Sequence, residues 1–333
     1  MKKYLQYLVI LLDNTSVSYC HADNPLKERS LMPLETLRSA ILFGMKNNLM
    51  IQFVYPNYEL PKEYKEVIQT IDHFDAVAST CEDKELTESA EVIIFNDWQC
   101  MESAVLSNKK TYVIRTTKAA LFSNYSKLSV AAAESKRIIV VITDEENFSD
   151  CDVENYKAVL LDLGEKLYAL YKQGEQPQIN ILTDRMQLSE MRNCDAGLNN
   201  ITVAPNGKFY LCPAFYYDEE RGVSNRMNHV TKEATRSVGD LTQGVLIPNR
   251  QLLQLDHAPL CRICDSYHCN RCIWLNQKLT WDSNTPSHQQ CIISHIERNA
   301  SRELAEKLRE DGYDIEEIKE IGYLDPFDVR EEH

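Results

Sequence analysis

The stretch Cys261-Arg262-Ile263-Cys264-Asp265-Ser266-Tyr267-His268-Cys269-Asn270-Arg271-Cys272 puts four thiols into twelve residues. Two Cys-x2-Cys pairs stand only four residues apart. Thiols this crowded repel one another as thiolates unless a cation binds them. In a reducing compartment such a group reads as metal binding before disulfides. Working outward, Cys291 follows downstream, and Cys194-x12-Gly207-x4-Cys212 lies upstream. Seven of the 11 cysteines therefore fall between Cys194 and Cys291, while Cys20, Cys81, Cys100 and Cys151 are scattered. The segment from Ile201 to Cys212 reads as a hairpin. Pro205-Asn206-Gly207 supplies its turn, and apolar residues alternate on both arms. That hairpin is expected to bring Cys194 and Cys212 together across 17 intervening residues.

Spacing alone leaves three readings open. Structural zinc would use four thiolates in a tetrahedron. The loop between the two pairs is short for an ordinary zinc ribbon, where about 12–20 residues are usual. Iron–sulfur clusters take four cysteines each, so seven cysteines plus one other ligand match two clusters. Free structural thiols are the third reading.

The rest of the chain sets the context for these thiols. Its 333 residues suggest about two domains and enough chain to bury a core. With 44% hydrophobic and 26% charged residues the composition is that of an ordinary globular protein. Lys and Arg number 36 against 50 Asp and Glu, giving a net charge of −14. Such a surface repels phosphate backbones, and no basic patch offsets it, so nucleic acid is not an expected partner. No run of 18 apolar residues indicates a membrane span. Lys2-Lys3 precede an apolar run from Leu5 to Leu12, but Asp13 and Asn14 interrupt it. Ser18-Tyr19 before Cys20 is also a poor cleavage site. The run is expected to be a buried first strand, and the protein cytoplasmic.

Before Gly164 the chain has a single glycine, Gly44. Phosphate-cradling loops use glycine for close backbone approach, so neither a Walker loop nor a dinucleotide fingerprint is present. The first half instead alternates strand and helix patterns. Tyr4–Leu12, Met50–Tyr55, Ala90–Phe95, Thr111–Arg115, Ile138–Ile142 and Gln178–Leu182 read as strands. Pro33–Asn48 reads as a helix with Leu34, Leu37, Ile41 and Met45 at helical spacing; Pro61–Ile71 and Val153–Gln173 follow. Glu102–Ser107 and Leu128–Ser135 fall between strands. The alternation predicts a parallel sheet with helical cover. The pattern ends around Arg185–Asn193, where the cysteine region begins. Ile296–Arg309 reads as a helix before an acidic tail.

The ordered cysteines, with the turn glycine and the intervening Val238-Gly239-Asp240-Leu241, resemble a SPASM domain. This is the auxiliary-cluster domain of peptide-modifying radical S-adenosylmethionine (SAM) enzymes. The match covers roughly 194–291; the family's middle spacing is slightly longer, with five and three residues where this chain has four and two. The resemblance implies one [4Fe-4S] cluster on Cys261, Cys264, Cys269 and Cys291. A second would take Cys194, Cys212 and Cys272, with its fourth position left to substrate or to an Asp or His ligand. His268 and His288 lie near the motifs.

The same family carries Cys-x3-Cys-x2-Cys after its first barrel strand, where three thiolates hold the cluster that cleaves SAM. Here Asp13-x3-Val17-x2-Cys20 keeps that spacing with two positions replaced. The Gly-Gly-Glu expected after the second strand is also missing; Tyr55-Pro56-Asn57-Tyr58-Glu59 stands there. A degenerate first motif with a SPASM-like tail resembles the CXXX repeat peptide maturase family. The resemblance implies an α/β fold, a partial (β/α)6 radical-SAM-like barrel followed by a small cysteine-rich domain. Its expected divisions are 1–190, 191–295 and 296–333. It further implies two [4Fe-4S] clusters, with zinc as the alternative, and no SAM cleavage. The implied partner is a ribosomally made cysteine-repeat precursor peptide, together with a separate modification enzyme if one supplies the radical. A non-catalytic peptide-binding module with a structural metal is the competing expectation, and plain electron transfer a third. No Gly-x-Ser-x-Gly elbow, His-Glu-x-x-His or deaminase-type zinc signature offers other chemistry. Asp144-Glu145-Glu146 is expected to be an exposed acidic loop. Trp274 and Trp281 are expected to line a groove or pack the small domain.

Overall fold

The computed structural model describes residues 5–187, 194–221, 236–269 and 271–317, apart from the side chain of Asp256. The boundary expected near residue 190 and most of the acidic tail lie outside the described residues. The described strands are Tyr7–Leu11 (β1), Met50–Val54 (β2), His73–Ala78 (β3), Val92–Phe95 (β4), Thr111–Thr116 (β5), Arg137–Ile142 (β6), Asn200–Val203 (β7), Phe209–Tyr210 (β8), Gly239–Asp240 (β9) and Gly244–Val245 (β10). The helices are Leu34–Lys46 (α1), Lys62–Ile68 (α2), Lys84–Ser89 (α3), Trp98–Ser103 (α4), Lys118–Asn124 (α5), Ser126–Glu134 (α6), Asp150–Lys172 (α7), Pro213–Glu220 (α8), Ile273–Thr280 (α9) and His288–Glu310 (α10). The chain forms two compact units. One comprises Met1–Asn96 with Asp195–Leu253, the other Asp97–Cys194 with Gln254–His333.

In the first unit β1 lies between β2 and β7, parallel to both. β3 joins β2, and β4 joins β3, again in parallel. β7 turns back into β8 as an antiparallel hairpin, as Pro205-Asn206-Gly207 predicts. Gly207 takes φ +75°, a conformation other residues reach only with strain. Leu8, Val9, Ile10 and Leu11 are all buried, as expected of a parallel strand covered on both faces.

α1 begins after Pro33, which needs no amide hydrogen, and buries Leu37, Ala40, Ile41 and Gly44. Met45 was expected on this stripe but is exposed. The buried line runs through Gly44 instead, because the helix closes tightly on the sheet there. A Cβ on Gly44 would stand 2.7 Å from Ile51 Cδ1 and 3.3 Å from Leu8 Cδ2. Gly44→Ala is therefore expected to destabilise the fold by about 1–2 kcal/mol. Overpacking costs roughly 1–3 kcal/mol, while the helix regains up to about 1 kcal/mol of propensity. A urea midpoint equal to that of the natural chain would contradict this contact.

In the second unit β5 and β6 pair in parallel over their full lengths. α7 opens with a capping box, Ser149 and Asp152 each bonding the other's backbone amide. It packs along α10. Gln178–Leu182 does not form the expected strand, and only Ile179 bridges to Ile138. The reason is Asn180. Its side chain accepts from Val140 N at 2.8 Å and donates to Val140 O at 2.9 Å, taking over bonds a strand backbone would make. α10 starts eight residues before the expected Ile296, capped by Ser287, so Cys291 sits in a helix. Among the described residues no helix is long and apolar enough to cross a membrane.

Candidate metal centre

α10 builds the cysteine-rich part of the second unit. Gln290, Ser294, Glu297 and Ser301 recur at helical spacing and are buried, although none is apolar. Such a face needs polar partners, because each unpaired buried group carries a desolvation cost. The segment from Cys261 to Cys272 supplies many of them. Asp265, next to Cys264, accepts from Arg298 Nη1 at 2.7 Å and Arg302 Nη2 at 2.8 Å. Ser266 Oγ donates to Ser294 O at 2.9 Å. Cys272 N donates to Gln290 Oε1 at 3.1 Å, and Gln290 Nε2 donates to Asn276 Oδ1 at 2.9 Å. The knuckle is thereby fastened to the helix at Gln290, Ser294, Arg298 and Arg302.

The thiols fall inside this frame. Cys264 Sγ lies 3.6 Å from His295 Nε2 and accepts from Ser266 N at 3.3 Å. Cys269 Sγ lies 3.2 Å from Ser294 Oγ. Arg271, almost wholly buried, donates through Nη1 to Cys261 Sγ at 3.5 Å. Cys291 is on the same helix, three residues before Ser294 and four before His295. Those spacings put neighbours on one helix face. Cys264 and Cys269 thus meet α10 one turn beyond Cys291. Cys212 is the N-cap residue of α8, in the first unit; Cys194 belongs to the second.

Among the described residues, no group of three or more His, Cys, Asp or Glu side chains is placed so that it could hold a metal ion. Cys261, Cys264 and Cys269 are instead turned toward Arg271, His295 and Ser294. The chemistry of the donor set nevertheless fits a thiolate-bound group. Burial pushes the Cys269 thiol up to about 11; nearby Cys261 adds to the rise, while Ser294 and Arg185 oppose it. A cation reverses that preference by deprotonating the thiols it binds. Amide and guanidinium donors aimed at sulfur are also the partners that steady metal-bound thiolates.

Spacing had pointed to His268 and His288 near the motifs. The histidine that meets a thiol is His295, whose signal was its place four residues after Cys291. His268 takes a left-handed φ of 56°. Trp274 is buried with Lys278 over its ring, while Trp281 is exposed. The expectation for Asp144-Glu145-Glu146 needs correction, because Glu145 is buried. Asp144 accepts from Lys118 N at 2.8 Å, and Glu146 stands 3.5 Å from Lys278 Nζ.

The loop after β1 in the first unit is built around a carboxylate and an apolar side chain. Asp13 is wholly buried. Its Oδ1 accepts from Thr15 N at 2.7 Å and Thr15 Oγ1 at 2.6 Å, and its Oδ2 from Tyr58 OH at 2.9 Å. Ser16 Oγ donates to Val54 O at 2.8 Å, tying the loop to the end of β2. Val17 is buried, and its amide donates to Tyr55 O at 3.0 Å. Asn24 Nδ2 donates to Asn14 O and Ser16 O, while Tyr216 OH donates to Asn14 Oδ1. Burial, with Asp13 beside it, pushes the Tyr58 phenol above its ordinary range. Glu59 is exposed and paired with Lys65 at 2.7 Å.

No protein-family model and no curated protein matches this chain. Solved structures do. Histidine-tagged anSMEcpe with bound AdoMet is 12% identical, with a TM-score of 0.51, over 92% of this chain and 100% of that one. Native anSMEcpe with bound AdoMet and Cp18Cys peptide is 10% identical, at 0.50, over 92% and 100%. Native anSMEcpe with bound AdoMet and Kp18Cys peptide is 10% identical, at 0.52, over 92% and 99%. At such identities the likeness speaks to architecture alone. It agrees with the expected fold class, an α/β fold of the partial-barrel type.

Proposed function

We propose that this protein takes part in maturing a ribosomally made cysteine-repeat (CXXX) peptide. It binds the precursor and assists its modification through auxiliary iron–sulfur clusters, without cleaving SAM. The observation that carries this reading is the contrast between two regions. The loop after β1 spends Asp13 on Thr15 and Tyr58 and buries Val17, so two of the three positions that would hold a SAM-cleaving cluster serve packing. The C-terminal segment retains seven thiols, three of them in contact with the polar side chains of His295, Ser294 and Arg271. The similar fold of anSMEcpe, solved with Cp18Cys and Kp18Cys peptides, supports a peptide as the substrate class.

In this reading Cys261, Cys264, Cys269 and Cys291 hold one cluster. Cys194, Cys212 and Cys272 hold the other, with one position left for a further ligand. Iron–sulfur groups bound there supply electron transfer and a seat for a peptide thiolate. Arg271 and the Ser266 amide offset negative charge at sulfur, and Asp265, clamped by Arg298 and Arg302, keeps the knuckle on α10. A separate enzyme supplies any radical the modification needs.

The test is anaerobic incubation of the protein, a reductant, SAM and the precursor peptide. We expect a peptide complex and no 5′-deoxyadenosine. A mass shift in the peptide when the modification enzyme is added completes the expected result. Formation of 5′-deoxyadenosine by this protein alone would overturn the SAM-free reading. A colourless protein holding stoichiometric zinc, with peptide bound and unmodified, would replace it by a binding module, since zinc brings no redox chemistry.

A further inference from the structure

A cavity of about 500 Å³ opens in the first unit beside β3, between α2 and α3. It is distinct from the loop after β1 and from the cysteines. Its volume falls within the roughly 300–1,000 Å³ usual for small-molecule sites. Asp75, on β3, lines it and is 8% exposed. Asp75 Oδ2 stands 3.5 Å from His73 Nε2, and Asp75 N donates to Glu91 Oε2 at 3.0 Å. Asp75 Oδ1 is buried and, among the described residues, lies within ordinary hydrogen-bond distance of no donor; the nearby Tyr55 phenol, which also lines the cavity, is pushed above its ordinary range by burial and then by Asp75. An orphaned carboxylate oxygen at the wall of a cavity is costly unless a donor arrives from the cavity itself.

The lining also fixes the sign of that donor. Five carboxylates, on Asp72, Asp75, Asp83, Glu85 and Glu91, line it beside one lysine, Lys65, and one histidine, His73. Lys65 is already engaged, 2.7 Å from both Asp83 and Glu59. His73 Nδ1 meets Ile71 O at 2.8 Å, so its other nitrogen is what remains for Asp75. The balance is negative, and an anion is excluded. The size argues against a bare metal ion, as do the aliphatic walls given by Leu60, Ile68 and Leu86. An aliphatic wall ending in carboxylates suits a methylene stem with a charged head.

We propose that this cavity binds an organic cation, an ammonium or guanidinium group carried on an aliphatic stem, with Asp75 Oδ1 as its principal acceptor. The cation is either a free amine or a basic side chain of a bound peptide. Calorimetric titration of the full-length protein distinguishes these, using putrescine for the first and N-acetyl-arginine amide for the second. At least one of the two is expected to bind at millimolar concentration or below. Asp75→Asn is expected to weaken binding about tenfold or more, as loss of a charge-assisted hydrogen bond does. Leu86→Trp, which fills the space, is expected to abolish it and keeps the test valid if Asp75→Asn fails to fold. Absence of heat with both probes overturns the proposal. So does affinity that survives both substitutions, or a response to calcium chloride alone.

Discussion

Glu297→Ala is expected to lower the unfolding free energy by about 3–5 kcal/mol, the usual cost of stranding one member of a buried ion pair. Arg185 and Glu297 form a salt bridge and are 2% and 1% exposed at their side chains. Tyr156 OH, from α7, donates to Glu297 Oε1 at 2.7 Å. Arg185 Nη1 donates to Tyr267 O at 3.1 Å, within the knuckle between Cys264 and Cys269. Removing the carboxylate leaves a guanidinium in a low-dielectric interior and a phenol without its acceptor. Burial, reinforced by the charge of Glu297, already pushes the Tyr156 phenol well above its ordinary range. The double variant Arg185→Met with Glu297→Leu is expected to recover much of the loss, since an apolar pair needs no mutual solvation. Urea denaturation of both variants reads this directly, provided the slope stays constant. A loss below about 1 kcal/mol for Glu297→Ala would mean that water reaches the pair and that α10 is held by its other contacts.

The parts of the fold legible in the sequence were those where one physical signal dominated. β1 is an apolar run buried from Leu8 to Leu11, β2 is mainly apolar and buried at Ile51, Phe53 and Val54, and Pro33 and Pro61 mark the starts of the helices that follow. β3 passed unread because His73 and Asp75 break its apolar pattern, and both are polar because they border a cavity. Gln178–Leu182 failed in the opposite sense. Its composition suits a strand and its backbone does pair with Ile138, but the Asn180 side chain takes the next bonds, at Val140, and the pairing goes no further. Neither outcome is visible to a period of two.

The same division holds at the candidate site. Thiol spacing drew attention to the knuckle, and the spacing of Asp13, Val17 and Cys20 drew attention to the loop after β1. The side chains that meet the thiols were not visible. Arg271 lies within the motif, but nothing in the spacing aims it at Cys261. Ser294 and His295 matter only through the register of α10, whose buried positions include Gln290, Ser294 and Glu297 beside Ile293 and Ile296, so no clean hydrophobic stripe marks the face they occupy. Their polarity follows from what they face, a folded knuckle rather than an apolar core. Helix prediction from apolar periodicity fails wherever a helix packs against such a segment.

Cys264→Ala is expected to remove bound iron and to destabilise the second unit, with Cys151→Ala as the control that changes neither. Cys151 is exposed on α7, away from the knuckle sequence. Metal binding contributes folding free energy where the site does not exist in the unfolded chain; structural zinc in small peptides gives about 10–16 kcal/mol. Losing one of four ligands forfeits a fraction of that, about 3 kcal/mol or more, in addition to the contacts of the thiol with His295 and Ser266. The iron content and visible absorption of anaerobically purified protein, read beside the melting curve, separate the two contributions. A packing role alone would lower the melting temperature and leave the metal stoichiometry unchanged. Ligation would lower both, and the stability difference between the variants would shrink after the metal is stripped by a chelator. Unchanged metal content in Cys264→Ala would reject this thiol as a ligand. Because Asp265 would still be clamped by Arg298 and Arg302, the knuckle in that variant stays on α10. Loss of metal there would therefore report on the sulfur itself rather than on collapse of the segment that carries it.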